Sequence, residues 1–529
     1  MSHSEGPEVA LPDTSDLASY TRRLQEELRQ LPGGELEDWQ PLIDRGLSEA
    51  YQGGDAIGLV GMLKVVVSFL DVVGRHDAAV TQIDHVLNIA RDDLEAAPIL
   101  RALRGCYLVI QGRTDEALED ADAAILSLAE QTPSEAVQEA ECHAAAIRLF
   151  ALENTPLATV DRLVHATGDG SRNSSSLFLS SYHIPYLFAR AERSAAEPRL
   201  RAFRLGAEAA NHEYRLADAA VFSDAEGAMS EPSNVPSRDS IARWNWLAHW
   251  RIQLLRFRAA HLRGDLASAD EELEALLNAM DAGGAADFGA AEVFRAYHRV
   301  QSGPGDTLVQ LEPPKTAHLL NLPSILAGGE AVALGGSQLL ARQWLSWFRD
   351  QLPAHIKTSL EWPVSRVRIE ALLALRSTEL RSAADLFEKA VTWSRRAGYS
   401  CELAIAGIQA AELQVHHVTD PSRIHAELQA QRRKGWEELG ARGIEPARYA
   451  YQVARLSTWT KDQLLHAQLT PRELQVLGLL VEGQSYKQMA EHLGVKWPTV
   501  QVLAHRCYEK LGASGKLSAV QAARDQGIL

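Results

Sequence analysis

Residues 469–513 read LTPRELQVLGLLVEGQSYKQMAEHLGVKWPTVQVLAHRCYEKLGA. Three helix starts and stops are spelled out in this stretch. Thr470-Pro471-Arg472-Glu473 combines a capping hydroxyl, a proline suited to the first helical turn, and a Glu placed to complete a capping box. Leu474, Leu477, Leu480 and Val481 follow as an apolar stripe, and Gly483 closes the helix. Ser485-Tyr486-Lys487-Gln488 repeats the box and opens a short helix with Met489, Ala490 and Leu493 inward. Leu493-Gly494-Val495-Lys496 supplies a turn. A third helix is expected from about Trp497 or Pro498 to Leu511, with Val500, Ala504, Cys507 and Leu511 at helical spacing on its inner face. A last short helix is expected over about 518–526.

Two short helices, a glycine turn and a third helix with a polar outer face make a helix-turn-helix suited to the DNA major groove. The stretch, with the following SAVQAA, resembles the LuxR/NarL-type family of bacterial transcription regulators, whose pattern is roughly LTxREIEVLxLLAxGxSNKEIAxxLxISxxTVKxHxxxIxxKLG. The resemblance covers 469–529. It implies that Gln501, Val502 and His505 face base edges. It implies phosphate contacts from Lys487, Thr499 and Lys510, to which Arg506 is a natural addition. Four positions depart from the pattern. Tyr486 stands for the family's Asn, and Lys496 for a Ser that would cap the third helix. Gln501 stands for Lys and Leu503 for His. Losing a Lys removes a charge-assisted phosphate contact and its share of salt-dependent affinity. The resemblance further implies a homodimer on a palindromic operator of double-stranded DNA, with RNA polymerase as a further partner.

Charge distribution fits DNA binding through this tail alone. The 529-residue chain carries a formal net charge of −16. From Thr460 to Leu529 there are eight Lys/Arg against six Asp/Glu, so the tail is +2 and the remainder −18. An acidic body with a mildly basic tail meets nucleic acid at the tail. Cys106, Cys142, Cys401 and Cys507 are scattered without metal-ligand spacing, which points to reduced thiols in a cytoplasmic protein. No apolar run is long enough for a membrane span, and Met1–Ser15 lacks the basic start and apolar core of a signal peptide.

Upstream of the tail the pattern is helical throughout, rich in Ala, Leu, Glu and Arg with apolar spacings of three and four. A finer motif recurs. Leu70 and Gly74 precede Ala79, Ile83 and Val86; Leu108 and Gly112 precede Ala117, Ala121 and Ala124; Ala260 and Gly264 precede Ala269, Leu273 and Leu276. A fourth copy near 370–398 keeps Ala383, Phe387 and Ala390 but has no glycine at the turn. In each, glycine ends one helix by entering the left-handed region without strain, and a small residue lets the next helix pack closely. This resembles the tetratricopeptide repeat, with its period of about 34 residues; another helical-repeat type remains open. Loops are expected at 166–176, 223–240 and 302–316.

The expected architecture is all-α: a tail over 1–16, a tetratricopeptide-like repeat domain over 17–455, a connector over 456–468 and the helix-turn-helix domain over 469–529. The repeats suit a small molecule, peptide or protein partner. Candidate ligand residues are the aromatics Trp244, Trp246 and Trp250, and Tyr182 and Tyr186, for which core packing is the alternative. Two function classes stay open: a one-component regulator sensing a ligand through its repeats, and an interaction scaffold with weak DNA binding. No nucleotide loop of the form GxxxxGK[ST] occurs; the stretch nearest to it, Gly328-Gly329-Glu330 to Gly335-Gly336-Ser337, lacks the Lys. Neither HExxH nor GxSxG is present, and His416-His417 with Asp420 reads as a solvated helix end. No cofactor, metal or enzymatic activity is expected.

Overall fold

The computed structural model describes residues 56–72, 75–165, 174–210, 213–230, 246–282, 290–302, 309–362, 364–377, 379–415, 469–511 and 513–525, with a few isolated positions besides. The expected 1–16 tail, the 456–468 connector and the His416-His417 pair lie outside them. The regular structure described is helical, apart from one isolated parallel bridge between Val309 and Gly336. No helix among the described residues is long and apolar enough to cross a membrane.

Among the described residues, seventeen helices build the body: α1 (Ala56–Val72), α2 (His76–Ile89), α3 (Ala96–Ile110), α4 (Thr114–Leu128), α5 (Glu135–Phe150), α6 (Leu157–His165), α7 (Ser174–Ala189), α8 (Arg193–Ala209), α9 (Glu213–Ser230), α10 (Trp246–Arg263), α11 (Leu266–Ala282), α12 (Ala290–Ser302), α13 (Leu322–Gly335), α14 (Gln338–Asp350), α15 (Arg366–Arg376), α16 (Leu380–Ala397) and α17 (Ser400–Val415). Two loop expectations are corrected by these bounds. Residues 223–230 belong to α9, where Ala-rich sequence outweighs the polar composition, and Ser174–Ser176 open α7. Of 302–316, Ser302 ends α12 and residues 309–316 run without helix.

Successive helices pair as antiparallel hairpins, and one turn geometry recurs. The backbone N–H of residues 75, 113, 153, 192, 265 and 379 each donates to the carbonyl five residues earlier. Consecutive turns in the first four hairpins are thus 38, 40 and 39 residues apart, longer than the tetratricopeptide period. Gly112 and Gly264 occupy the left-handed position of this turn, at φ 76° and 74°. Ala79, Ala117, Ala121, Ala124, Ala269, Ala383, Phe387 and Ala390 of the expected motif are fully buried where the hairpins cross.

The body has a continuous apolar core from Leu59 of α1 to Leu413 of α17. Its later segments fold back over its earlier hairpins. Leu319 N–H donates to the Phe150 carbonyl at 2.8 Å, and His318 stacks on the Phe150 ring with centroids 4.9 Å apart. Lys357 and Thr358 N–H both donate to the Ala189 carbonyl. The glycine pair that stood nearest to a phosphate loop is a packing device: a Cβ on Gly328 would lie 2.7 Å from Trp344, and one on Gly329 2.8 Å from Ile369. The next residue, Glu330, joins a buried ionic network. Arg368 lies 3.0 Å from Glu330 and 2.7 Å from Glu402, while Arg258 is 3.5 Å from Glu330. On α10, Arg251 is 3.0 Å from Glu361. Buried charges are tolerated only when paired, so these contacts fix α10, α13, α15 and α17 in one register.

Candidate nucleic-acid interface

Four helices form a separate core, made of residues 469–523: α18 (Pro471–Val481), α19 (Tyr486–Leu493), α20 (Trp497–Leu511) and α21 (Lys516–Asp525). Both capping boxes are present. Thr470 N–H donates to Glu473 Oε2 at 2.6 Å, and Glu473 N–H returns a bond to Thr470 Oγ1 at 3.3 Å. Ser485 and Gln488 exchange the same pair. Gly483 and Gly494 take φ of 80° and 64°, the left-handed stops that a side chain would strain. These two caps end α18 and α19 and leave α19 only eight residues long.

Inside, Val476, Leu477, Leu480, Met489, Val500, Ala504, Cys507, Leu511, Ala519 and Ala523 are buried together. The expected inner face of the third helix is thus the observed one; Leu474 and Leu493 are only partly buried. One of the sequence departures, Tyr486, finds a partner here. Tyr486 and Tyr508 hydroxyls lie 2.8 Å apart, tying α19 to α20. Lys516 Nζ donates to the Gln484 carbonyl, tying α21 to the first turn. Burial pushes the Cys507 thiol up to about 12, so it stays protonated and inert.

The outer face of α20 is open. Gln501, Val502, His505 and Arg506 are exposed, as is Thr499 at its first turn. His505 Nε2 lies 3.9 Å from Glu509 one turn on. Lys487 is exposed on α19, and Lys496 is exposed just before α20. Lys496 is a cation that sequence reading treated only as a missing cap. Lys510 behaves differently from the other expected phosphate contacts. Its Nζ donates to Glu473 Oε2 at 2.7 Å, and that carboxylate is almost fully buried. Burial alone would raise the Glu473 carboxyl, but bonds from Lys510 and Thr470 outweigh it and hold it below the ordinary range.

In the body, three of the five aromatic ligand candidates have described side chains. Trp244 and the side chain of Trp246 lie outside the described residues. Trp250 is buried within the large core. Tyr182 is partly buried beside Phe178 and Phe150, and Tyr186 is fully buried with its hydroxyl donating to the Glu153 carbonyl. A surface cavity of ≈ 820 Å³ lies elsewhere, between residues 309–315 and the Ile325, Leu340 and Trp344 side chains. None of the three described candidates, Trp250, Tyr182 and Tyr186, lines it.

Residues 467–523 match the family described as bacterial regulatory proteins, luxR family. Over 61 residues, 12% of this chain, the sequence is 39% identical to the transcriptional regulatory protein MctR of Rhizobium johnstonii. That alignment spans 28% of the relative, so the likeness is that of one domain and leaves the body unmatched.

Proposed function

We infer that the protein is a sequence-specific DNA-binding transcription regulator of the one-component kind, in which the helical body senses a ligand or partner and the C-terminal domain engages an operator. The supporting observation is the open face of α20: Gln501, Val502, His505 and Arg506 are exposed together, with Lys487 and Lys496 close in sequence to its N-terminal end. An α-helix is the element the major groove admits, and its N-terminal residues are the ones that reach base edges. Lys487, Lys496 and Arg506 supply charge for phosphates, and phosphate contacts set affinity and register. One such helix reads only a few base pairs, so a homodimer on a two-fold symmetric operator completes the reading.

Control through the body requires that a ligand bind one arrangement of the hairpins more tightly than another. A ligand seated among the hairpins acts through the contacts each makes with its neighbours and through the segments that cross back over them. The deciding experiment is selection of random duplex DNA by the full-length protein at low salt. Enrichment of a two-fold symmetric sequence, lost on Gln501→Ala/Arg506→Ala, is the expected result. A pool that never departs from its starting composition sinks the reading.

A further inference from the structure

The face of α20 carries more apolar surface than a phosphate-binding helix requires. Trp497, its first residue, is 55% exposed, and it is the aromatic member of the large apolar side chains that the described residues leave open. Val502 is 52% exposed on the same helix. Trp497, Gln501 and His505 stand at i, i+4 and i+8, so they form one ridge along the helix. The indole therefore lies at the end of the reading ridge that enters the groove first.

Resting on the DNA-binding reading above, we propose that Trp497 is a specificity-determining residue whose indole packs on a thymine C5-methyl group. The major groove offers one apolar feature, the thymine methyl, and apolar side chains on a reading helix take it. An exposed indole at that position gains by leaving water, since aromatic side chains carry about 150–250 Å² of burial area. Gln501, one turn on, is the residue type that makes paired bonds to adenine N6 and N7. The four residues from Trp497 to Gln501 rise about 6 Å along the axis, or roughly two base-pair steps of about 3.4 Å. The half-site is therefore A·T-rich at its reading end: a thymine under Trp497, within about two base pairs of the adenine under Gln501.

The test replaces thymine by deoxyuridine, one position at a time, in the duplex that full-length protein selects from a random pool. Uracil keeps every hydrogen-bonding group and lacks only the methyl. At one position per half-site the wild-type protein is expected to lose about 5- to 20-fold in affinity, the scale of one base contact. Trp497→Ala should bind the thymine and uracil duplexes equally, and Trp497→Phe should restore part of the difference. Because Trp497 is exposed, the melting temperature of the full chain serves as the control for folding. Trp497→Ala weakening both duplexes alike would assign the indole to sugar-phosphate packing and overturn the proposal. So would wild-type binding indifferent to every uracil. A protein that enriches no sequence at all fails earlier, at the DNA-binding reading itself, and takes this proposal with it.

Discussion

Lys510 Nζ sits 2.7 Å from Glu473 Oε2, so the last cation of the recognition helix is spent inside its own domain. Glu473 also closes the capping box at the start of α18, and its backbone carbonyl accepts from Cys507 Sγ at 3.3 Å. One glutamate thus joins the first and third helices of the motif. The first prediction separates this role from phosphate binding. Lys510→Met should destabilise the C-terminal domain by about 1–2 kcal/mol, the cost of leaving a buried acceptor without its charged donor, reduced because Lys510 is about one-third exposed. Its effect on the salt dependence of DNA binding should be negligible. Lys487→Ala should do the opposite, leaving stability intact and lowering the slope of log K against log salt by about one. Equal salt slopes for Lys487→Ala and wild type, with a lowered slope for Lys510→Met, would reverse the assignment.

The body should lose stability steeply in mild acid. Burial holds three imidazoles neutral. It depresses His143 to about 4, with Lys64 and Arg215 adding to the effect and Glu139 opposing it. It depresses His183 to about 4, aided by Arg199, and His318 to about 3. In the unfolded chain each titrates near 6.5. Between those values the unfolded chain binds more protons than the folded one. The stabilisation is therefore whole above about pH 6.5, is lost as pH falls, and levels off below about pH 3–4. Each histidine contributes about 1.4 kcal/mol per pH unit within that window, so the three together give about 4. Urea unfolding at pH 7, 6 and 5 measures the slope. His318→Phe should remove about a third of it, and an unchanged slope in that variant would show that His318 does not stay neutral.

The turns explain what in this fold was legible in the sequence and what was not. Three hairpins were readable because a glycine stands four residues after the residue whose carbonyl closes the turn, as with Leu108 and Gly112. The hairpin of α7 and α8 has the same turn closed on Leu187, and Ala196, Leu200 and Phe203 are buried where the motif places them. Its left-handed position is Ala191, at φ 60°, and at the α5–α6 turn it is Leu152, at φ 59°. Without a glycine neither turn announced itself, although the Ala196, Leu200, Phe203 spacing was there to be found. The ionic network was illegible for a different reason. Arg251, Arg258 and Arg368 are charged residues within helices, and their partners Glu361, Glu330 and Glu402 lie tens of residues away in sequence. In the C-terminal domain local caps decide nearly everything, so its helices and inner face were readable; the Lys510–Glu473 pair was not, because its partners lie 37 residues apart.

A strained turn of this kind makes a stability prediction. A left-handed non-glycine residue costs about 1–2 kcal/mol, and glycine gives back about 0.5–1 kcal/mol of that through its greater freedom in the unfolded chain. Ala191→Gly should therefore stabilise the body by about 0.5–1 kcal/mol, whereas Gly264→Ala should destabilise it by about 1 kcal/mol or more. Ala191 also packs lightly against the core, which trims the gain. Denaturant midpoints of the two variants, measured at equal m-value, give the signs directly. If Ala191→Gly destabilises, the turn is held by packing of the Ala191 methyl and not against the strain of its backbone.

Gln501 offers the sharpest test of the reading face. It is exposed on α20 beside Val502, and one turn from His505. Glutamine pairs with adenine, donating to N7 and accepting from N6, whereas lysine donates to guanine O6 and N7 and has nothing to accept with. Gln501→Lys should therefore change the preferred base from adenine to guanine at one position in each half-site, with a discrimination of about 1–3 kcal/mol. The added charge should also raise overall affinity at low salt, and more so for unrelated DNA than the base change can explain. Two effects with different salt dependence can be separated by repeating the selection at low and at physiological salt. The change of base should persist at both; the gain in affinity should fade at the higher. If the preferred sequence stays the same while affinity rises at every site, Gln501 faces a phosphate, and base reading is left to Val502, His505 and the Trp497 end of the helix.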